Sequence, residues 1–187
     1  MKALSIFLVA MLVAGCGSKP RQPDWLVNAD GAQERFERAW LSGNERVAAA
    51  EFSKLRAELA STANPALVAR GELTRCAVQV ASLQLDPCTG FEPLRADVTD
   101  AERAYADFLA GRLAPENAKA LPEVYRPVAT SAAGGGEAAV KAIGDPLSRL
   151  IACAVLLRTG RADPQVLQIA ADTASGQGWR RAVVAWL

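Results

Sequence analysis

The stretch TDAERAYADFLAG (99–111) carries the pattern that most constrains this chain. Thr99 and Glu102 stand three apart, so each can satisfy an orphan backbone amide at a helix start. Behind them Ala101, Ala104, Tyr105, Phe108 and Leu109 form an i, i+3, i+4, i+7, i+8 apolar stripe, the spacing of a helix that buries one face. Gly111 then stops the run. The same punctuated helical periodicity recurs along the sequence. Alanine, leucine, arginine and glutamate dominate, while β-branched and aromatic residues are sparse, a composition that favours helix over strand. An all-α fold of about eight short helices, paired as antiparallel hairpins around one core, is the expectation.

A first helix is predicted from about Asp30 to Ser42, with Ala32, Phe36, Ala39 and Trp40 inward. Ser42-Gly43-Asn44-Glu45 has the form of a capping box and opens a second helix with Ala48, Phe52, Leu55 and Leu59 at helical spacing. Asn64-Pro65 places a cap before a first-turn proline. The helix that follows runs to about Leu85, with Leu73, Cys76, Val80 and Leu83 inward, and its apolar character elsewhere makes it central. Residues 86–98 read as a loop or short turn. Pro115, Pro122 and Pro127 break the next segment into short pieces, and TSAAGGG (130–136) reads as a flexible connection. Asp145-Pro146 starts the most apolar helix, Leu147 to Leu157, and Asp163-Pro164 starts another. A last helix from about Gln177 carries Trp179, Ala182, Val183 and Trp186 on one face.

Three segments share one scheme: AWLSGNERVAAAEF (39–52), DFLAGRLAPENAKAL (107–121) and LLRTGRADPQVLQIA (156–170). Each ends a helix on leucine, turns at glycine and restarts on a polar residue. The scheme resembles the helix-turn-helix of tetratricopeptide repeats, most closely in the first copy through Gly43, Ala48 or Ala49, and Phe52. The copies start at unequal intervals rather than at a fixed period of about 34, so the resemblance implies a degenerate hairpin array.

The N-terminus carries a different message. Lys2 precedes an apolar run from Ala3 to Ala14 in which only Ser5 is polar. At about a dozen residues it is short of the roughly 20 that span a bilayer, and it fits the apolar region of an export signal. The run ends on Val13-Ala14-Gly15-Cys16. This resembles the lipobox of bacterial lipoproteins: an aliphatic residue, two small residues and cysteine. The resemblance implies cleavage between Gly15 and Cys16 and a diacylglycerol thioether on Cys16, whose thiolate is the stronger nucleophile. Two or three acyl chains make attachment effectively permanent, since each buried methylene contributes about 0.8 kcal/mol. Gly17 follows Cys16 where an aspartate would favour inner-membrane retention, so the resemblance implies the periplasmic leaflet of the outer membrane. The expected organisation is a signal peptide over 1–15, a lipidated tether over 16–24 and one all-α domain over 25–187. The tether is polar and interrupted by Pro20 and Pro23.

Export places Cys76, Cys88 and Cys153 in an oxidising compartment. Cys88 lies in the turn DPCTG (86–90) after the helix carrying Cys76, which makes Cys76–Cys88 the expected disulfide. A pair with Cys153, or none, are the alternatives. Cys153 lies in LIACAVLL and reads as a buried small hydrophobe.

The chain holds 21 Lys and Arg against 20 Asp and Glu and no histidine. Balanced charge gives no electrostatic footprint for nucleic acid. The lack of histidine excludes Ser-His-Asp and Cys-His catalysis and His-ligated zinc. Gly134-Gly135-Gly136 with Lys141 fails the phosphate-loop spacing. Asp97, Asp100, Glu102 and Asp107 lack calcium-loop spacing, and helix capping accounts for Asp100 and Glu102. Trp179-Arg180-Arg181 reads as a core tryptophan with two solvated arginines. Trp25 reads as packed on the domain, the alternative being a seat at the lipid interface.

No catalytic residue, metal ligand or cofactor is assigned; the covalent lipid on Cys16 is the one added group. The expected role is a non-enzymatic, lipid-anchored periplasmic scaffold or adaptor that presents a helical surface to an envelope protein. Two alternatives are a carboxylate-dependent enzyme or enzyme accessory acting on envelope polymers, and a structural lipoprotein without a specific ligand.

Overall fold

The computed structural model describes residues 22–187. The lipobox, the cleavage position and Cys16 lie outside the described residues. Within them the fold is all-α, without a strand. Its helices are α1 (Asp24–Leu41), α2 (Glu45–Ser61), α3 (Pro65–Ala81), α4 (Asp100–Leu109), α5 (Arg126–Thr130), α6 (Gly136–Lys141), α7 (Pro146–Arg158), α8 (Pro164–Gly176) and α9 (Arg180–Trp186). Three 3-10 turns, Glu92–Asp97, Pro115–Ala120 and Glu123–Tyr125, occupy the segments that prolines break. No described helix is long and apolar enough to cross a membrane.

Two helices form the centre. In α7 every residue from Leu150 to Leu156 is buried, and in α3 the buried set runs from Val68 to Ala81 over several faces. A helix apolar on all sides must be covered on all sides. These two pack on each other, α1 and α2 cover α3, and α8 covers α7.

Short connections make neighbouring helices antiparallel. α1 and α2 pack along their whole length, joined by Ser42-Gly43-Asn44. Gly43, Gly111 and Gly160 all adopt positive φ after a helix end, so each copy of the repeat scheme turns at its glycine. The second copy restarts as a 3-10 turn, Pro115–Ala120, rather than an α-helix.

Boundaries depart from the sequence reading in four places. α1 begins at Asp24, six residues before Asp30, because Trp25 and Ala29 extend its inward stripe; Trp25 packs against the core. Ser42 ends α1 rather than opening a capping box; Asn44 is the cap and its side-chain oxygen accepts from Val47 N at 3.3 Å. α3 stops at Ala81, where Leu83 turns the chain with φ +58°. The glycine run is exposed through Gly135, but Gly136 packs: it is buried at the start of α6, and a Cβ there would lie 2.5 Å from Leu156 Cδ1 of α7. The caps read from sequence at Asn64 and Thr99 are in place, and Asp145 and Asp163, read as helix starts, cap α7 and α8.

Candidate functional site

Without histidine, the chain's chemistry falls to carboxylates, phenols, guanidinium groups and thiols. The acidic residues near the start of α4 do not act together. Asp100 pairs with Arg103 at 2.8 Å, and Asp107 meets Arg95 at 3.2 Å and Arg112 at 3.0 Å. Asp97 closes the first 3-10 turn. Glu102 turns inward: it accepts from Thr99 N and Thr99 Oγ1 at 2.8 Å each, and pairs with Arg70 of α3. Burial pushes the Glu102 carboxyl up, but the Arg70 and Thr99 hydrogen bonds outweigh it and hold the group below its ordinary value.

Glu102 is one of three buried glutamates, each met by an arginine of the preceding helix. Arg35 of α1 donates to Glu51 of α2 at 2.8 Å, and Arg56 of α2 donates to Glu72 of α3 at 3.0 Å. The arginine in each pair stays more than half exposed, its stem covering the helix seam while the carboxylate sits below. Hydrogen bonds from Lys54 and Arg35 hold Glu51 below its ordinary value. Glu72 also faces Arg75 Nη2 at 2.7 Å, and Arg75 lies over the Phe52 ring. This chain of pairs ties α1 to α4, but it is structural, and of its members only Glu102, as a cap, has a role legible in the sequence.

A concavity with a mostly apolar lining and several polar groups opens where α1, α3, α4, α7 and the 3-10 segment around Leu121 meet. It encloses about 500 Å³. Leu73, Ala77, Val78, Leu121 and Ile151 make its apolar floor and walls, and Gln33, Glu37, Tyr105, Tyr125, Asp145 and Ser148 bring polar groups to it. Each side chain is set by its element. Helical spacing puts Gln33 and Glu37 on one face of α1, where the Gln33 amide donates to Glu37 Oε1 at 2.9 Å. Asp145 is the cap of α7 and accepts from Ser148 N at 2.7 Å. Tyr105 and Tyr125 stack with centroids 5.6 Å apart, and Phe108 supports Tyr125 at 5.1 Å.

The electrostatics of this cleft are uneven. Burial raises the Glu37 carboxyl above its ordinary value; the Gln33 hydrogen bond opposes this, while the Asp145 and Glu34 charges add to it. Burial pushes the Tyr105 phenol well above its usual range, with Tyr125 and Glu37 acting in the same sense. Tyr125 is also raised by burial, and hydrogen bonding with Ser148 and Tyr105 partly offsets that. Both phenols are therefore neutral at pH 7.

The sulfurs of Cys76 and Cys88 lie at bonding distance, with Cα atoms 5.7 Å apart, and link α3 to the loop after it. Cys153 is free and buried in α7, and burial pushes its thiol up to about 12. Among the described residues, no cluster of His, Cys, Asp and Glu side chains is arranged to hold a metal. The reading of Trp179-Arg180-Arg181 needs correction. Arg181 is not solvated: it lies 4.4 Å from the Trp40 ring centroid, donates to Trp40 O at 2.9 Å and pairs with Glu45 at 2.9 Å. Trp40 is half-buried and presents its ring to a cation, a contact between residues too far apart in sequence for any local pattern to reveal.

None of the cleft's carboxylates or phenols had been assigned a site role from sequence. Glu37 is an unremarked polar residue of an amphipathic helix, and Asp145 is explained locally as a cap. Comparison with known proteins adds nothing: no family model matches the chain, and no curated protein or solved structure matches it significantly.

Proposed function

We propose that this protein is a lipid-anchored adaptor of the bacterial envelope, fastened through Cys16 to the periplasmic leaflet of the outer membrane. Its helical body holds a partner in the cleft between α1, α3, α4 and α7. The cleft carries the binding part of this reading. A mostly apolar concavity of about 500 Å³ with a few convergent polar groups has the size and lining of a recognition site. The lipobox residues Val13-Ala14-Gly15-Cys16 support the anchor. Metabolic palmitate labelling tests it: Cys16→Ser abolishes incorporation and leaves unprocessed precursor. For the cleft, a photo-crosslinking residue in place of Thr74, on its wall, gives a discrete adduct in cells, while one at Ala57, exposed on α2, does not. Equal labelling from both positions defeats the reading.

One observation favours a second reading, a carboxylate-dependent enzyme acting on envelope polymers. Burial raises the Glu37 carboxyl, which shares the cleft with a second carboxylate, Asp145, and a buried, raised carboxyl can act as a general acid or base. Release of soluble fragments from purified peptidoglycan, lost in Glu37→Gln, is the result that this reading requires.

A further inference from the structure

We propose that the cleft selects an organic cation carried on an apolar body, with the cationic group against Glu37 and Asp145 and the body on Leu73, Val78 and Ile151. The inference rests on the reading of this cleft as a recognition site and adds the chemistry of its occupant.

The buried carboxylates elsewhere have arginine or lysine partners; half-buried Glu58 and Asp163 accept instead from the Asn28 amide and from Val166 N, and neither lines this cleft. Glu51, Glu72 and Glu102 meet Arg35, Arg56 and Arg70, and Asp107 meets Arg95 and Arg112. Glu102, which also borders the cleft, is neutralised in this way. Glu37 and Asp145 are not: among the described residues neither makes an ion pair. Glu37 is half-buried and accepts only from the Gln33 amide. One Asp145 oxygen accepts from Ser148 N, and the positive end of α7 offsets part of its charge. Glu37 therefore carries the larger share of the uncompensated charge.

The rest of the rim sharpens the choice. Tyr105 and Tyr125 are neutral phenols, and Ser148 and Gln33 are neutral, so nothing except the already paired Arg70 would attract an anion. A neutral apolar ligand would desolvate two like charges without replacing their water. A cation restores opposite charge to both, and a volume of about 500 Å³ admits a small organic molecule. Charge complementarity and cavity size point the same way.

The test uses three probes with one apolar body: 4-phenylbutylamine, 4-phenylbutanol and 4-phenylbutyrate. Each is titrated calorimetrically into the whole chain as cells process it, held in zwitterionic nanodiscs, with empty discs as the blank. The amine is expected to bind about tenfold more tightly than the alcohol, since a charge-assisted hydrogen bond in a partly dry site is worth about that factor, and the butyrate most weakly. Glu37→Gln, which keeps the shape and the Gln33 contact, brings the amine down to the level of the alcohol. Asp145→Asn, which preserves the cap, has a smaller effect in the same direction. A circular dichroism melt confirms that both variants fold.

Equal binding of the three probes, none of it blocked by filling the cleft with Ala77→Trp, overturns both the cation inference and the cleft reading. Equal binding that Ala77→Trp does block leaves the cleft reading intact and overturns the cation inference alone. So does an amine preference that survives Glu37→Gln. A preference seen only after Lys19 and Arg21 are both replaced by glutamine means that the chain's own tether fills the cleft, and that outcome also overturns the proposal.

Discussion

Glu102 does two jobs at one position: its carboxylate closes the capping box of α4 and receives Arg70 from α3. The first was readable from Thr99 and Glu102 alone; the second depends on how α3 lies against α4. Losing both in Glu102→Ala should cost about 1–2 kcal/mol in denaturant unfolding, a cap plus a half-exposed ion pair. Titration follows from the same environments. Glu51, Glu92 and Glu102 have lowered pKa values, so their contribution is present above the ordinary 4.5 and is lost as pH falls through their folded values. Glu37 is raised, so its contribution is present below 4.5 and is lost as pH rises through its folded value. The three outnumber the one, and the melting temperature should fall between about pH 6 and pH 3, with a shallower slope in Glu102→Gln. Glu37→Gln should raise stability at pH 7, the expected sign for a group held for binding rather than folding. Backbone strain gives a third test at this scale. Ala63, exposed, adopts φ +54° at the turn between α2 and α3. Ala63→Gly should stabilise by about 0.5–1 kcal/mol, the left-handed cost relieved less the added chain entropy.

At the scale of elements, the long helices with capped starts were legible, and the segment from Pro115 to Gly136 was not. Three prolines and three glycines conceal its order because its hydrogen bonds are supplied from elsewhere. The Arg161 guanidinium, after α7, donates to the carbonyls of Val128, Ala129 and Ser131 at 3.1–3.2 Å and so closes the end of α5. Arg161→Ala should cost about 2 kcal/mol by stranding the carbonyls of Ala129 and Ser131, while Val128 O keeps the Ser131 hydroxyl. Arg161→Lys should recover about half of that or more, since all three bonds come from the one nitrogen Nη1 and an ammonium also carries three hydrogens. Hydrogen exchange should show the loosening concentrated in residues 126–141. The Cys76–Cys88 link acts on the end of α3 and its exit loop. Alkylation in denaturant without reductant should modify one thiol among Cys76, Cys88 and Cys153, and reduction should lower stability by about 3 kcal/mol, the entropy of a loop this short.

Over the whole molecule, the last helix closes the structure against the first three. Trp186 Nε1 donates to Ala81 O at 2.9 Å, giving a partner to a carbonyl at the end of α3, and Trp40 Nε1 donates to Ser82 Oγ at 3.0 Å beside it. Arg181 spans Trp40 and Glu45 from the other side. Trp186→Ala should therefore cost about 3–5 kcal/mol, as for a large buried aromatic, and should destabilise α1 and α9 together rather than fraying α9 alone. The cleft is a property of this scale too. Its walls come from α1, α3, α4, α7 and the Leu121 segment, and no one of them holds a recognisable motif.

The amino-acid order alone determined where the long helices lie, where most of them are capped, that α3 is central, that α7 is the most apolar, and that Cys153 is buried. Those outcomes depend on interactions within about four residues or on total apolar content, both of which a linear pattern records. Tertiary structure alone decided which arginine meets which glutamate, that Arg181 lies on Trp40, that Gly136 is packed against Leu156, and that Glu37 and Asp145 face one cavity without a cation. These are distances between residues from 16 to more than 100 positions apart, set by helix packing, and periodicity carries no information about them.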